Sequence, residues 1–225
     1  MKIGPDPDFP YLTEQDYFPF RDPSEWTDNI VAIGGNLSPG MLLSAYEQGI
    51  FPWYNFEDPV IWQSPDPRCV IFPDKLHISS SMRKIFSKGV FEIKFDENFT
   101  GVMEACARTV RRGQNGTWIS GDIIKAYTEL HRLGWAHSAE AWQDGELAGG
   151  CYGVLMGRAF FGESMFSVKP NASKAAFLSF AETLFKHGIA FIDCQVPTPH
   201  LLSLGGEEMP RSEFLALLKL FKISR

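Results

Sequence analysis

Between Ala136 and Gln195 the spacing of apolar side chains changes twice, and this limits the possible folds more than any other feature. From Ala136 the period is two. Asp144-Gly145 makes a hairpin turn, one strand covers roughly Leu147 to Met156, and after Gly157 another runs over Arg158 to Gly162. Asn171 then reads as the cap of a helix carrying Phe177, Phe180, Leu184 and Phe185 and ending at Gly188. Ile189 to Cys194 is a short apolar strand. A strand, a helix and a strand in this order form a β-α-β unit whose strands lie side by side. Glu163 and Asp193 stand where the two strand patterns break, so both carboxylates are expected to face one cleft. Phe160, Phe161, Met165, Phe166 and Ile192 around them would disfavour the charged forms by desolvation. An acid at a strand end is also commonly a solvated loop residue or a cap, so these neighbours favour function without establishing it.

The remaining segments fall around this unit. The first thirty residues hold prolines, acids and scattered aromatics without a period, and are expected to wrap over something else. Ile30 to Ile33 is a short strand ending at Gly34-Gly35. Ser38-Pro39 opens a helix whose Met41, Leu42, Ala45 and Tyr46 share a face, and Gly49 stops it. Pro65-Asp66-Pro67-Arg68 is a rigid link, which places the domain boundary there: a small domain over residues 1–67 and a larger one over 68–225. In the second, Ser79 to Ser81 cap a short basic helix, and Phe91, Ile93 and Phe95 alternate as a strand. A helix follows from about Glu97 to Val110, burying Phe99, Val102, Met103 and Cys106. Ser120 caps another with Ile123, Ile124, Tyr127, Leu130 and Leu133, and Glu213 to Phe221 closes the chain. The order is α+β, with a small amino-terminal α/β domain and a carboxy-terminal domain of the acetyltransferase-like kind. Coenzyme A fits poorly nonetheless. The turn before the central helix, Val168 to Lys174, has no glycine to bring amides onto a pyrophosphate, and Pro170 has no amide at all.

At 44% hydrophobic and 14% aromatic, a chain of 225 residues buries a real core, which excludes disorder. The start, Met1 to Asp8, lacks the basic and apolar parts of a signal peptide, and no apolar run spans a bilayer, so a cytoplasmic protein without membrane contact is expected. Cys69, Cys106, Cys151 and Cys194 show neither CxxC pairing nor histidines at ligand spacing. They read as four reduced core thiols, with no metal. The net charge of −6 argues against a protein that coats nucleic acid. Its distribution says more, because residues 1–60 hold 2 basic and 10 acidic side chains whereas 61–112 hold 9 basic and 6 acidic. Arg83, Lys84, Lys88, Arg108, Arg111 and Arg112 in that segment read equally well as a phosphate-facing patch or as ordinary solvated helix faces.

Six motifs then coincide in order: Gly34-Gly35-Asn36-Leu37-Ser38-Pro39, Ala45 to Trp53, Ser64-Pro65-Asp66-Pro67-Arg68, Gly116-Thr117-Trp118-Ile119, Gly162 to Ser167, and Ile192-Asp193-Cys194-Gln195. Together they closely resemble the leucyl/phenylalanyl-tRNA-protein transferase family, over residues 30 to 215. The resemblance implies transfer of Leu or Phe, and also Met, from aminoacyl-tRNA to the α-amine of proteins beginning with Arg or Lys, marking them for N-degron proteolysis. It implies no cofactor, and a monomer is expected. An aminoacyl ester is already activated, so such an enzyme needs only to hold the ester against an amine and manage one proton.

The same resemblance assigns residues. Asp193, Gln195 and Glu163 are implied as the catalytic group, with Gln195 near the attacking amine and Asp193 behind it; whether they relay a proton or only orient the amine stays open. Trp53, Trp118 and Tyr46 correspond to the aromatics around the terminal adenosine, although isolated tryptophans also fit a core. Cys151, Phe160, Met165, Phe180, Leu184 and Ile192 correspond to the side-chain pocket. Two departures, Gln63 for the usual tryptophan and Thr198 for an asparagine found in some relatives, fall near substrate contacts. Two other readings remain: an acyl-CoA-dependent N-acetyltransferase, and a tRNA-binding module without catalysis.

Overall fold

The computed structural model describes residues 4–55, 57–109 and 117–224. Its elements form an α+β structure with two sheets. The smaller sheet joins β1 (Ile30–Ile33), β3 (Ile61–Gln63) and β2 (Phe51–Pro52) in that order, all antiparallel. Between β1 and β2 lies α1 (Pro39–Glu47), started by a proline in its first turn and followed by Gly49 at φ +75°. The sequence predicts one apolar face for α1. Instead Pro39 through Tyr46 are all buried, because the amino-terminal segment closes over the other side. The Gly40 N–H donates to Leu12 O (2.9 Å), the Phe18 N–H to Ser44 Oγ (2.8 Å), and the Phe20 N–H to Gln48 Oε1 (2.9 Å). A side chain at Gly40 would have its Cβ 2.4 Å from Thr13 O, so only glycine allows this wrap.

The larger sheet takes its strands in the order β10 (Glu207–Met209), β4 (Arg68–Ile71), β9 (Phe191–Gln195), β8 (Ala159–Ser167), β7 (Glu146–Met156), β6 (Ala136–Gln143), β5 (Glu92–Phe95). All neighbours are antiparallel except β8 and β9, the parallel pair joined by α5 (Ala172–Lys186). The Asp144-Gly145 turn links β6 to β7, with both residues at positive φ. Alternation along β7 sends Cys151 to a core shared with α5 and α2 (Ser80–Ser87). Its neighbour Tyr152 goes to the opposite core, with α1, α3 (Phe99–Arg108), α4 (Gly121–Arg132) and α7 (Arg211–Leu220). The short helix α6 (Pro199–Ser203) follows β9.

Four predicted helix starts differ. Ser38 precedes α1 without a side-chain cap hydrogen bond, and α7 begins at Arg211 rather than Glu213. Asn171 does not cap α5 with its side chain; it lies at φ +69°, and the Ser173 N–H is instead satisfied by Ser167 Oγ (3.2 Å), the last residue of β8. Helix α3 begins at Phe99 rather than Glu97, because Asn98 Oδ1 accepts from the Gly101 N–H (3.1 Å). Ser79 and Ser120 cap α2 and α4 as predicted. No described helix is long and apolar enough to cross a membrane, and all four cysteines are free and buried.

Candidate active site

The site begins where β8 and β9 part. They pair only from Ala159 to Phe161 against Phe191 to Asp193; beyond that β8 continues to Ser167 against β7 alone. Each strand carries a bulge at the parting. On β8, Gly162 and Ser164 oppose Gly153 and Tyr152, leaving Glu163 as the extra residue; on β9, Asp193 and Gln195 oppose Val70 and Cys69, leaving Cys194. Bulges re-aim side chains. Here they turn Glu163 and Gln195 toward each other across the gap, and Gln195 Nε2 donates to Glu163 Oε1 at 2.7 Å.

Asp193 is fully buried, and both of its oxygens are engaged by Arg68, Oδ1 with Nε (2.8 Å) and Oδ2 with Nη2 (2.6 Å). The equally buried Arg68 also donates to Gly49 O (3.2 Å), and its guanidinium lies 4.9 Å from the Phe51 ring centre and 4.4 Å from that of Phe214. A buried ion pair is tolerated when its geometry is bidentate and further hydrogen bonds support it; here each guanidinium nitrogen has an acceptor. Asp193 Oδ1 further accepts the Gln195 N–H (2.8 Å), which fixes Gln195 at φ +63°. Side chains other than glycine seldom occupy that region, so this conformation depends on its tether. The expectation that both acids face the cleft is thus corrected for Asp193: its charge is directed inward at a guanidinium.

Glu163 is held by neutral donors instead. Tyr46 Oη donates to Oε1 (2.7 Å) and Tyr127 Oη to Oε2 (3.3 Å), while the two hydroxyl oxygens lie 2.5 Å apart. Burial pushes the Glu163 carboxyl up to about 7, against the lowering effect of the hydrogen bonds from Tyr46, Gln195 and Tyr127. Both tyrosine hydroxyls are pushed well above their usual range, first by burial and then by the Glu163 charge, so they remain donors. With three oxygen contacts and two hydroxyl protons, the cluster has room for one more proton, carried on Oε2 when Tyr127 Oη turns its own proton toward Tyr46 Oη.

A cavity of about 310 Å³ adjoins Glu163, walled by Cys151, Phe160, Met165 and Phe177, with Thr198 and His200 also on its lining. It is at the small end of ligand pockets and mostly apolar, suited to one hydrophobic side chain. Burial and the nearby Lys174 charge lower the His200 pKa. Thr198 Oγ1 caps α6 by accepting from the Leu201 N–H (3.2 Å), which holds the closing segment in place.

The comparisons with known proteins decide the family. Residues 70–219 match the family model described as leucyl/phenylalanyl-tRNA protein transferase, and residues 35–66 match the model of its N-terminal domain. Relatives named leucyl/phenylalanyl-tRNA--protein transferase include one from Desulfatibacillum aliphaticivorans, 54% identical over 88% of this chain and 86% of its own length. Those from Nitrosospira multiformis and Myxococcus xanthus are 52% and 49% identical, over 93% and 92% of this chain and 90% of their own length in both cases. The chain belongs to the leucyl/phenylalanyl-tRNA-protein transferase family. Solved structures align less fully. A functionally unknown conserved protein from Staphylococcus epidermidis reaches a TM-score of 0.45 at 8% identity, over 64% of this chain and 57% of its own. L-PGS from Bacillus licheniformis reaches 0.41 at 13%, over 56% and 45%.

Several assignments implied by the resemblance to the transferase family meet a different geometry. Of the six side-chain pocket residues, Cys151, Phe160 and Met165 line the cavity. Phe180, Leu184 and Ile192 do not; they are buried behind it, Phe180 edge-on to Phe160 at 5.0 Å and stacked on Phe95 at 5.4 Å. Phe177, one turn earlier on α5, takes the lining position, because the cavity lies where the parted strands leave the start of α5 uncovered. Tyr46 has no exposed ring to stack on an adenosine: it is fully buried, 5.0 Å from Phe161, and contributes its hydroxyl. Trp53 is half-buried and Trp118 nearly buried, both against the α1 core, and neither lines the cavity. Gln63 Nε2 donates to Trp53 O (2.7 Å) and so fixes the Trp53 backbone. The described basic residues do not form one patch. Arg83 and Lys84 of α2, with Lys88 at its C-cap, belong to one face of the large sheet, and Arg108 of α3 to the other, where it pairs with Glu104 at 3.5 Å. Arg111 and Arg112 lie outside the described residues.

Sequence reasoning missed Arg68, Tyr127 and Phe177 as site residues. Arg68 ends the Ser-Pro-Asp-Pro-Arg motif and Tyr127 reads as one more apolar helix position, so the only available signal was an arginine opening an otherwise apolar strand.

Proposed function

We propose that this chain transfers Leu, Phe or Met from aminoacyl-tRNA to the α-amine of proteins beginning with Arg or Lys, acting as a cytoplasmic monomer and marking its products for N-degron proteolysis. The single observation that supports this reading most is the meeting of an apolar cavity, sized for one side chain, with the Gln195–Glu163 bridge at its wall. The substrate is an ester, so its carbonyl carbon needs only to meet an amine. The amine nitrogen bonds to that carbon, the bond to the ribose oxygen breaks, and the proton shed by nitrogen leaves on the ribose hydroxyl. Gln195 Nε2 is committed to Glu163, which leaves the amide oxygen to accept an N–H of the incoming amine and direct its lone pair. Glu163 holds that amide, and its carboxyl near 7 can exchange a proton close to the pH at which an α-amine becomes nucleophilic.

Trp53 and Trp118 serve in this reading as the stacking surface for the terminal adenosine, and α2 with Arg83, Lys84 and Lys88 meets tRNA phosphates. The boundary between a small domain (1–67) and an acetyltransferase-like domain (68–225) follows the separation of the two sheets, and the meander β6-β7-β8 with the parting strand β9 supports the acetyltransferase likeness. Side chains unbranched at Cβ, such as Leu, Met and Phe, fit between Phe160, Met165 and Phe177, whereas β-branched ones are stiff near the backbone. Incubation with Leu-tRNA and an Arg-initiated peptide is therefore expected to add one Leu by mass, with Phe and Met also transferred. Ile and Val should be disfavoured by about 1 to 3 kcal/mol in kcat/KM. A peptide of unchanged mass, or Ile transferred at the Leu rate, counts against the reading.

A further inference from the structure

We propose that Arg68 is a positioning residue of the transfer site, fixing the Asp193 carboxylate as a clamp that holds Gln195 in register with Glu163. The inference rests on the functional reading above and extends it to a residue that does not touch substrate. Both oxygens of Asp193 are engaged from inside: Oδ1 by Arg68 Nε and the Gln195 N–H, Oδ2 by Arg68 Nη2. With 0% of its surface exposed, Asp193 has no path to an incoming amine. What it can transmit is geometry. A glutamine at φ +63° needs something to hold its backbone there, and its N–H donates to Asp193 Oδ1 at 2.8 Å. Two residues of chain thus link the guanidinium to the Gln195 amide, and from there to Glu163 Oε1 at 2.7 Å.

Arg68 is itself fixed from outside the strand pair. Gly49 O and the Phe51 ring come from the small-sheet unit, and the Phe214 ring from α7. The Gly49 carbonyl is placed by a residue at φ +75° whose added Cβ would lie 2.7 Å from Leu215 Cδ2, so that corner packs only one way. The amino-terminal unit and the last helix therefore set the orientation of the reacting amide through a single guanidinium. A lysine keeps the charge but cannot grip both oxygens of a carboxylate in one plane.

The test is a double-mutant cycle with Leu-tRNA and an Arg-initiated peptide. Arg68→Lys is expected to lower kcat roughly 10- to 100-fold, the cost of slightly misplacing a reacting group, while KM for both substrates changes less than about threefold. In a Gln195→Ala background the same substitution is expected to change kcat by less than about twofold, since the group it positions is gone. Independent, multiplicative losses, or wild-type kcat in Arg68→Lys, overturn the proposal. If Arg68→Lys does not fold, Phe214→Leu, which loosens the guanidinium and leaves the ion pair in place, goes through the same cycle with the same criteria. An inactive wild type overturns transfer itself and with it this role. Full activity in Gln195→Ala overturns only the site reading and, with it, Arg68's route to the reaction.

Discussion

Two carboxylates stand where β8 and β9 part, Asp193 at the last paired position and Glu163 two residues beyond it, yet the molecule treats them in opposite ways. Asp193 on β9 is fully buried and faces with both oxygens a guanidinium that itself packs on the Phe51 and Phe214 rings. Glu163 on β8 faces two phenols and a primary amide, none of them charged, beside an open cavity. Burial acts on both. Asp193 meets a formal cation, whereas Glu163 meets only neutral donors, whose hydrogen bonds offset burial in part, and its carboxyl rises to about 7. The charge of the partner, not burial, distinguishes the two acids.

The largest expected effect separates the two acids by stability. Asp193→Ala strands the Arg68 charge in a dry site and should cost about 3 to 5 kcal/mol in urea unfolding. Glu163→Gln keeps the shape and partners of its side chain and should cost under about 1.5 kcal/mol. Equal losses would break the comparison.

The second effect is in pH dependence. The folded-state pKa of Glu163 is raised from 4.5 to about 7, so between those values the folded protein binds more protons than the unfolded chain. Its contribution is therefore fully present below pH 4.5 and is lost as pH rises through 7. Melting temperatures between pH 5 and 8 should fall for wild type by an amount that Glu163→Gln removes. An undiminished slope in the variant would show that other groups carry it.

The smallest effect sharpens the account of the donors. Tyr46→Phe removes a hydrogen bond that lowers the Glu163 pKa, so the inflection of kcat/KM against pH should move above 7. Tyr127→Phe should move it the same way but less, because its hydroxyl stands at 3.3 Å where that of Tyr46 stands at 2.7 Å. A downward shift in either would mean that the tyrosines stabilise the neutral acid.

Much of this architecture was legible in the residue order. The Asp144-Gly145 turn, the helices opened by Ser79 and Ser120, and the strand-helix-strand around Glu163 and Asp193 each rest on a period or a turn residue, and such signals act over a few neighbouring positions. The motifs carried the family, and Gln195 with Glu163 could be singled out from them. What tertiary structure alone decided is which partner each residue meets. Arg68 and Asp193 are 125 residues apart, Tyr46 and Glu163 117, and periodicity records only that such positions are inside. It could not place Arg108 across the sheet from Arg83, nor choose Phe177 over Phe180 for the cavity wall, since both choices depend on where two strands part. That parting comes from a one-residue bulge on each strand, where pairing with the flanking strands β4 and β7 slips, and pairing between segments far apart in the chain forms only when the whole sheet is assembled.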